Sequence, residues 1–248
     1  MLRQRVVIGA ALAGLTALCW LYLFVAAADM RAMGAMAMPM PMEPKGAVDL
    51  VLLLLMWWVM MAGMMLPGAA PMILVFATVN RRRRARAQPY APTALFAAGY
   101  LVAWGGFSVA ATLGQGGLER LALLSPMDMT TTSARLGGLL LAAGLYQLTP
   151  LKQACLAVCR SPFDFVVNHW RDGAAGALCM GLAHGLYCLG CCWILMALLF
   201  AGGVMNLLWV AVLAAVVLVE KLFPLGVWMA RIGGVLLAAY GIALLAMS

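Results

Sequence analysis

The sequence has few charged side chains, and acidic ones are the scarcer kind. Asp and Glu together number 8 and Lys and Arg number 16, so charged residues make up 10% of the 248 residues, whereas 66% are hydrophobic. With a mean hydropathy of +1.02, a soluble globule of this size would have too little polar surface to cover its apolar side chains. The composition leaves no room for a soluble catalytic domain and predicts an integral membrane protein.

Carboxylates are missing where the chain is most apolar. Residues 173–200 include no charged side chain, and the whole chain has 2 histidines. A lack of intramembrane carboxylates argues against sites for Mg, Ca or Mn, because these ions prefer oxygen ligands. The net charge of +8 comes from basic residues between apolar runs, so it orients the protein in a membrane and indicates no nucleic-acid partner.

The apolar runs are separated by short polar segments, which is typical of an all-α, polytopic transmembrane helix bundle. The length fits about seven crossings. The arginines at 81–84 and 86 predict a cytoplasmic loop, and the overall charge asymmetry predicts a cytoplasmic N-terminus and an external C-terminus. We expect a first transmembrane helix or signal anchor at 1–28, a Met-rich external loop at 29–46, and a six-helix transmembrane metal-binding domain at 47–248.

Several details of this bundle follow from single residues. Pro67 should kink or end the second helix. Three basic residues near the predicted helix ends, Lys152, Arg160 and Lys221, are assigned to the cytoplasmic side. Small residues in apolar helices allow close helix contact, and we expect this role for Gly137, Gly138, Gly181, Gly185, Gly233 and Gly234.

Soft metal ligands are concentrated between residues 179 and 193. On a helix, Met180, His184, Cys188 and Cys191 fall within an arc of roughly 80°, and Cys192 lies about 40° beyond it. Thiolate and imidazole ligands suit Cu(I) or Zn(II), and nearby methionines favour Cu(I). The alternative is that these thiols only fill space between helices and that His184 is a satisfied core residue.

Two further sets of sulfur ligands lie elsewhere in the chain. Met60 and Met64 continue a stripe that starts at Met56, with spacing i, i+4 and i+8. At the expected depth Met56 and Met60 could meet His184 near the membrane midplane. Cys155 and Cys159 share one side of a later helix. The alternative for the methionines is ordinary packing or lipid contact.

Four strings carry a family resemblance: WWVMMAGMMLP at 57–67, YQLTPLKQACLAVCRSP at 146–162, HGLYCLGCCW at 184–193, and Glu220-Lys221. They resemble a bacterial family of unknown function described as predicted metal-binding integral membrane proteins. The resemblance covers about residues 50 to 245. It implies a polytopic membrane protein that binds metal through Cys155, Cys159, His184, Cys188, Cys191 and Cys192.

These observations together favour binding over catalysis, since no catalytic constellation is present. We expect a multi-pass protein of the bacterial cytoplasmic (inner) membrane that binds a soft metal, Cu(I) before Zn(II), for copper transfer or assembly of a copper enzyme. Its expected partners are the lipid bilayer and a copper chaperone or membrane copper enzyme. The alternatives are a membrane thiol-disulfide oxidoreductase that uses Cys188 and Cys191, which have CxxC spacing, and a structural membrane subunit.

Overall fold

Helices make up all the regular structure in the computed structural model, which describes residues 2–36, 46–120 and 133–247. In chain order they are α1 (Leu2–Met36), α2 (Ala47–Ala85), α3 (Thr93–Arg120), α4 (Ser133–Leu148), α5 (Pro150–Arg160), α6 (Pro162–Asn168), α7 (Gly173–Ala197), α8 (Leu199–Gly202), α9 (Leu207–Leu222) and α10 (Gly226–Met247). The predicted all-α class is confirmed for the described ranges.

The structure has fewer membrane-length helices in its described ranges than the number of crossings predicted from the sequence. In the described ranges, five stretches are long and apolar enough to cross a membrane, namely Arg5–Asp29, Ala47–Ala85, Thr93–Glu119, Gly173–Gly202 and Gly226–Met247. α4 and α9 have 16 residues each, whereas a helical crossing takes about 20 residues. The count of about seven crossings and the predicted orientation are therefore not supported.

Two helices extend beyond their predicted ends. α2 continues through Pro67 and Pro71 to Ala85, because buried residues on both sides of the prolines hold the segment in helical form despite the lost backbone donors. α1 runs to Met36, so residues 29–36, which were predicted to begin the Met-rich loop, are helical. Residues 37–45 of that loop lie outside the described residues.

Glycines set how closely two pairs of helices approach. A Cβ atom at Gly181 of α7 would lie 1.9 Å from the carbonyl oxygen of Phe96 in α3. A Cβ atom at Gly137 of α4 would lie 2.9 Å from the carbonyl oxygen of Gly241 in α10. The predicted close contacts are confirmed for these two glycines and for Gly185 and Gly234, whereas a Cβ atom at Gly138 or Gly233 would meet nothing within 4 Å.

A buried ion pair links α5 to the carboxyl end of α9. Lys152 Nζ lies 2.7 Å from Glu220 Oε2, with both side chains almost fully buried, and Gln147 Nε2 donates to Glu220 Oε1 at 2.9 Å. Arg160 donates to the carbonyl oxygens of Glu220 and Phe223 at 2.7 and 2.6 Å. Lys152 and Lys221, which the sequence analysis assigns to the cytoplasmic side, are both buried inside the bundle.

We expect the substitution Gly181→Ala to destabilise the bundle by about 1–3 kcal/mol, because its methyl group would overlap the α3 backbone. Gly138→Ala is the matched control, since the same methyl group meets open space there and alanine is the better helix former. Thermal unfolding of the two purified variants in detergent measures the difference. Equal melting temperatures would contradict the close α3–α7 packing.

Candidate functional site

Cys188 is the centre of a buried group of polar and sulfur-bearing side chains. It lies on α7 with 1% of its surface exposed. Its Sγ atom lies 3.0 Å from the hydroxyl oxygen of Tyr100, and it accepts a hydrogen bond from Lys221 Nζ at 3.0 Å. A thiol, a phenol and an amine from three different helices therefore meet at one sulfur atom.

The helix packing explains why these groups meet. Tyr100 follows Gly99, and the α3–α7 approach at this glycine is so close that a Cβ atom there would lie 2.1 Å from the carbonyl oxygen of Leu178. Lys221 comes from the last turn of α9 and reaches α7 past Gly68, where a Cβ atom would lie 3.0 Å from the lysine Cδ. Small residues thus leave space for one aromatic ring and one long side chain.

Met65 of α2 adds a thioether to the same place. Its Sδ atom lies 3.9 Å from Cys192 Sγ and 3.7 Å from Lys221 Nζ. Its carbonyl oxygen lies 3.2 Å from the Tyr100 hydroxyl, which can donate to it. The thioether therefore lies beside both a thiol and the amine that contacts Cys188.

Three more thiols surround Cys188. Cys191 and Cys192, on the next turn of α7, each donate to the carbonyl oxygen of Cys188 at 3.0 Å. Cys159 of α5 lies close enough to Cys188 and Cys191 for the three thiols to interact electrostatically. We call Met65, Cys159, Cys188, Cys191 and Cys192 the sulfur cluster.

His184 lies one turn before Cys188 on α7, in an aromatic environment. Its ring is 5.5 Å from that of Tyr100 and also 5.5 Å from that of Phe165, measured between centroids. Its Nδ1 atom is buried and has no hydrogen-bond partner among the described residues. An imidazole nitrogen in this condition can donate its lone pair to a metal ion or accept a hydrogen bond.

Cys155 stands at the edge of the cluster. It is half-buried, and a Cβ atom at Gly190 of α7 would lie 2.8 Å from its sulfur atom. Burial raises the pKa of the Cys155 thiol, and the charge of Cys191 adds to this effect. Cys155 therefore forms a thiolate less readily than an ordinary cysteine does.

The structure brings together most, but not all, of the residues that the sequence singled out. Met60 and Met64 are buried, but the sulfur contacts described for the cluster involve Met65. The sequence analysis did not select Met65, Tyr100 or Lys221. A usable signal existed for Lys221, since it and Glu220 interrupt an otherwise apolar segment, and ionisable residues in such segments mark functional sites.

Among the described residues, no group of three or more His, Cys, Asp and Glu side chains is already arranged to hold a metal ion. Two features of the cluster account for this. Lys221 and Tyr100 take up two approaches to the Cys188 sulfur, and the thiols of Cys191 and Cys192 turn toward a backbone carbonyl. Side-chain rotations would be needed before several thiols could share one ion.

Cys188 and Cys191 do not form an accessible redox pair in this structure. Both are free thiols, and each has only 1% of its surface exposed. Disulfide exchange requires a partner sulfur to reach the attacking thiolate. The arrangement gives the oxidoreductase alternative no better support than the metal-binding hypothesis.

Comparisons with known proteins bear on the whole bundle. The search of curated proteins found no match, and the search of solved structures found none either. A family model described as PpoB2, copper chaperone, matches residues 54–244. This range begins within α2, ends within α10 and includes every residue of the sulfur cluster. The chain therefore belongs to the PpoB2 copper chaperone family.

Proposed function

We propose that the protein is a polytopic membrane protein that binds Cu(I) as cargo at the sulfur cluster and passes it on, either in copper transfer or in the assembly of a copper enzyme. One observation carries the proposal: buried Cys188 lies among three further cysteines and the thioether of Met65, in a chain of a copper chaperone family. Membership of the family supports copper, and the donor atoms support its reduced form.

The donor atoms match Cu(I) better than other ions. Thiolate and thioether ligands select Cu(I), whereas zinc is bound by four ligands and rarely takes a thioether. Glu220, the single carboxylate of α9, is already engaged by Lys152 and Gln147. In this proposal Cys159, Cys188, Cys191 and Cys192 are the thiol ligands, Met65 is the thioether ligand, and the partnerless Nδ1 atom of His184 adds a nitrogen donor.

Lys221 supplies a positive charge beside the sulfur atom at which copper is proposed to bind. Its ammonium group lies 3.0 Å from Cys188 Sγ, where it stabilises negative charge on the sulfur. Because Lys221 stays in the bundle, binding of Cu(I) adds one positive charge, which is balanced when one further thiol of the cluster releases its proton as it becomes a ligand. The site then holds two thiolates, one Cu(I) and one ammonium group, and its net charge is unchanged.

In this proposal Met60 and Met64 deliver copper to the cluster, whereas Met65 is a ligand within it. They precede Met65 on α2 and are buried, so they provide thioethers along the helix that leads to the cluster. Cys155 lies beside Cys191 on the α5 side and can receive copper from the cluster. The sequence-derived ligands thus form a route with the sulfur cluster between its two ends.

Membrane insertion is the second part of the proposal. Large hydrophobic side chains are exposed along several helices, including Leu18 at 64%, Leu113 at 68% and Leu236 at 64%. Exposed apolar surface on this scale suits lipid contact. α4 and α9 would complete seven crossings in a locally thinned bilayer, with the arginines of residues 81–86 in the cytoplasm of a bacterial inner membrane.

The double substitution Cys159→Ser and Cys188→Ser should weaken Cu(I) binding by roughly tenfold or more, which is a loss of at least about 1.4 kcal/mol. The expected reason is that two thiols of the cluster are replaced by harder hydroxyl groups. Cys19→Ser with Cys179→Ser is the matched control, because neither of these thiols belongs to the cluster. Competition with a Cu(I) chelator under reducing conditions measures the affinity, and equal affinities in the two double variants would contradict the site.

Methionine substitutions distinguish the cluster from the route. Met65→Leu roughly conserves volume, yet it should lower the Cu(I) affinity by about tenfold because it removes a thioether that lies beside Cys192. Met60→Leu with Met64→Leu should leave the affinity at equilibrium unchanged and slow copper loading. The reverse result, with affinity lost only in the Met60 and Met64 variant, would assign the thioether ligands to those two residues.

A further inference from the structure

A cavity of about 230 Å³ lies between the amino end of α1 and the carboxyl end of α2. The two helices run antiparallel here, since Arg5 contacts Thr78 and Cys19 packs at Gly63. Thr78 is thirteen residues beyond Met65, which corresponds to about 20 Å along the helix. The cavity is therefore separate from the sulfur cluster.

Positive charge surrounds the cavity. Arg5, Arg81 and Arg82 line it, and none of the described residues that line it is acidic. Arg5 Nη2 donates to the hydroxyl of Thr78 at 3.3 Å, and that hydroxyl donates to the carbonyl oxygen of Leu74 at 2.8 Å. Thr78 thus holds one guanidinium beside the cavity, and that group has further N–H donors on the same fork.

The neighbouring arginines of the same run are engaged elsewhere. Arg83 forms an ion pair with Asp172 at 2.6 Å, and the Arg84 guanidinium lies 4.7 Å from the centroid of the Tyr90 ring. Part of this basic run therefore fastens α2 to adjacent elements. The part that lines the cavity is distinguished by its position beside Arg5.

The remaining wall of the cavity is apolar, and the cavity lies at the ends of two apolar spans. Ile8, Ala77 and Ala85 complete the lining. The apolar span of α1 begins at Arg5, and that of α2 ends at Ala85. Arginines at the end of two apolar spans, with an apolar wall beneath them, match the level at which the phosphate of a phospholipid meets its acyl chains.

We propose that the cavity between Arg5, Thr78 and Arg82 is a binding site for a phosphate oxyanion, supplied by the headgroup of an anionic phospholipid. Guanidinium groups bind phosphate through paired N–H donors, and the apolar wall accepts the first methylene groups of the lipid. The site lies beyond the copper function, and it depends on the proposed membrane location without depending on copper binding. A lipid held here would tie α1 to α2 at the membrane surface.

The test uses the full-length protein purified in detergent and freed of lipid. Phosphatidylglycerol, phosphatidylcholine and inorganic phosphate are added separately, bound lipid is counted by native mass spectrometry, and melting temperatures are recorded. We expect saturable binding of phosphatidylglycerol that is at least tenfold tighter than that of phosphatidylcholine, because the quaternary ammonium of the latter is repelled by the arginines. Equal binding of the two lipids would overturn the proposal.

Two variants and one matched control locate the binding. Arg5→Gln with Arg82→Gln should weaken phosphatidylglycerol binding at least tenfold, and Ala85→Phe should do the same by filling the cavity while keeping every arginine. Arg3→Gln with Arg86→Gln removes the same charge from the same two segments outside the cavity and should bind as the unmodified protein does. Equal losses in the two charge variants, or full binding by Ala85→Phe, would overturn the site.

The inorganic phosphate arm separates the two sources of the oxyanion. Stabilisation by phosphate alone, lost in the Arg5 and Arg82 variant but kept in the control, would support the oxyanion site. If phosphatidylglycerol then bound no better than phosphatidylcholine, the assignment to lipid would be overturned. Binding of phosphatidylglycerol without a response to phosphate supports the complete proposal, since a lipid also gains from the apolar wall.

Discussion

The contact between Lys221 and Cys188 is the interaction on which the interior of this bundle depends. An ammonium group inside an apolar helix bundle is very costly unless a negative partner lies beside it. In the described residues Glu220 is already paired with Lys152, and the sulfur of Cys188 is the partner within 3.0 Å of Lys221 Nζ. The buried lysine therefore requires a thiol capable of carrying negative charge, and a thiol with this property is the kind of ligand that a soft cation prefers. Structure and proposed chemistry rest on one pair of atoms.

The rest of the fold holds this pair in place. Adjacent residues at the end of α9 point to different partners: Glu220 is fixed by Lys152 and Gln147, and Lys221 turns to α7. Arg160 occupies the carbonyl groups at the end of α9, and it fits there because residue 226 is a glycine, where a Cβ atom would lie 2.2 Å from the guanidinium. These hydrogen bonds orient α9 so that Lys221 cannot swing out to water without breaking a buried network. In the proposed function, copper therefore reaches Cys188 while Lys221 stays inside the bundle.

Some of these features could be predicted from the sequence, because they depend on residues that lie close together along the chain. Helical periodicity placed Cys188, Cys191 and Cys192 together because one helix carries all three, and small residues indicated close packing at Gly181 and Gly137. The sequence could not identify Met65. Which of Met60, Met64 and Met65 faces the cluster depends on the position and rotation of α2 relative to α7, and tertiary packing decides both. Lys221 was counted only as a basic residue at a helix end, and a buried pairing with a cysteine 33 residues away leaves no periodic signal. Pro67 was expected to interrupt α2, yet the surrounding core overrides the local preference.

α1 differs from the remaining helices in its burial and in its contribution to the cluster. The family match begins at residue 54, so α1 lies outside it, and only 11% of the apolar window of α1 is buried, against 50% for α2 and for α7. Every atom of the sulfur cluster comes from α2, α5 or α7, and the amine and phenol beside it come from α9 and α3. The cluster is thus complete without α1, which packs on the outer side of α2 and meets it at the basic cavity. The proposed copper site and the contacts that attach α1 therefore use different residues.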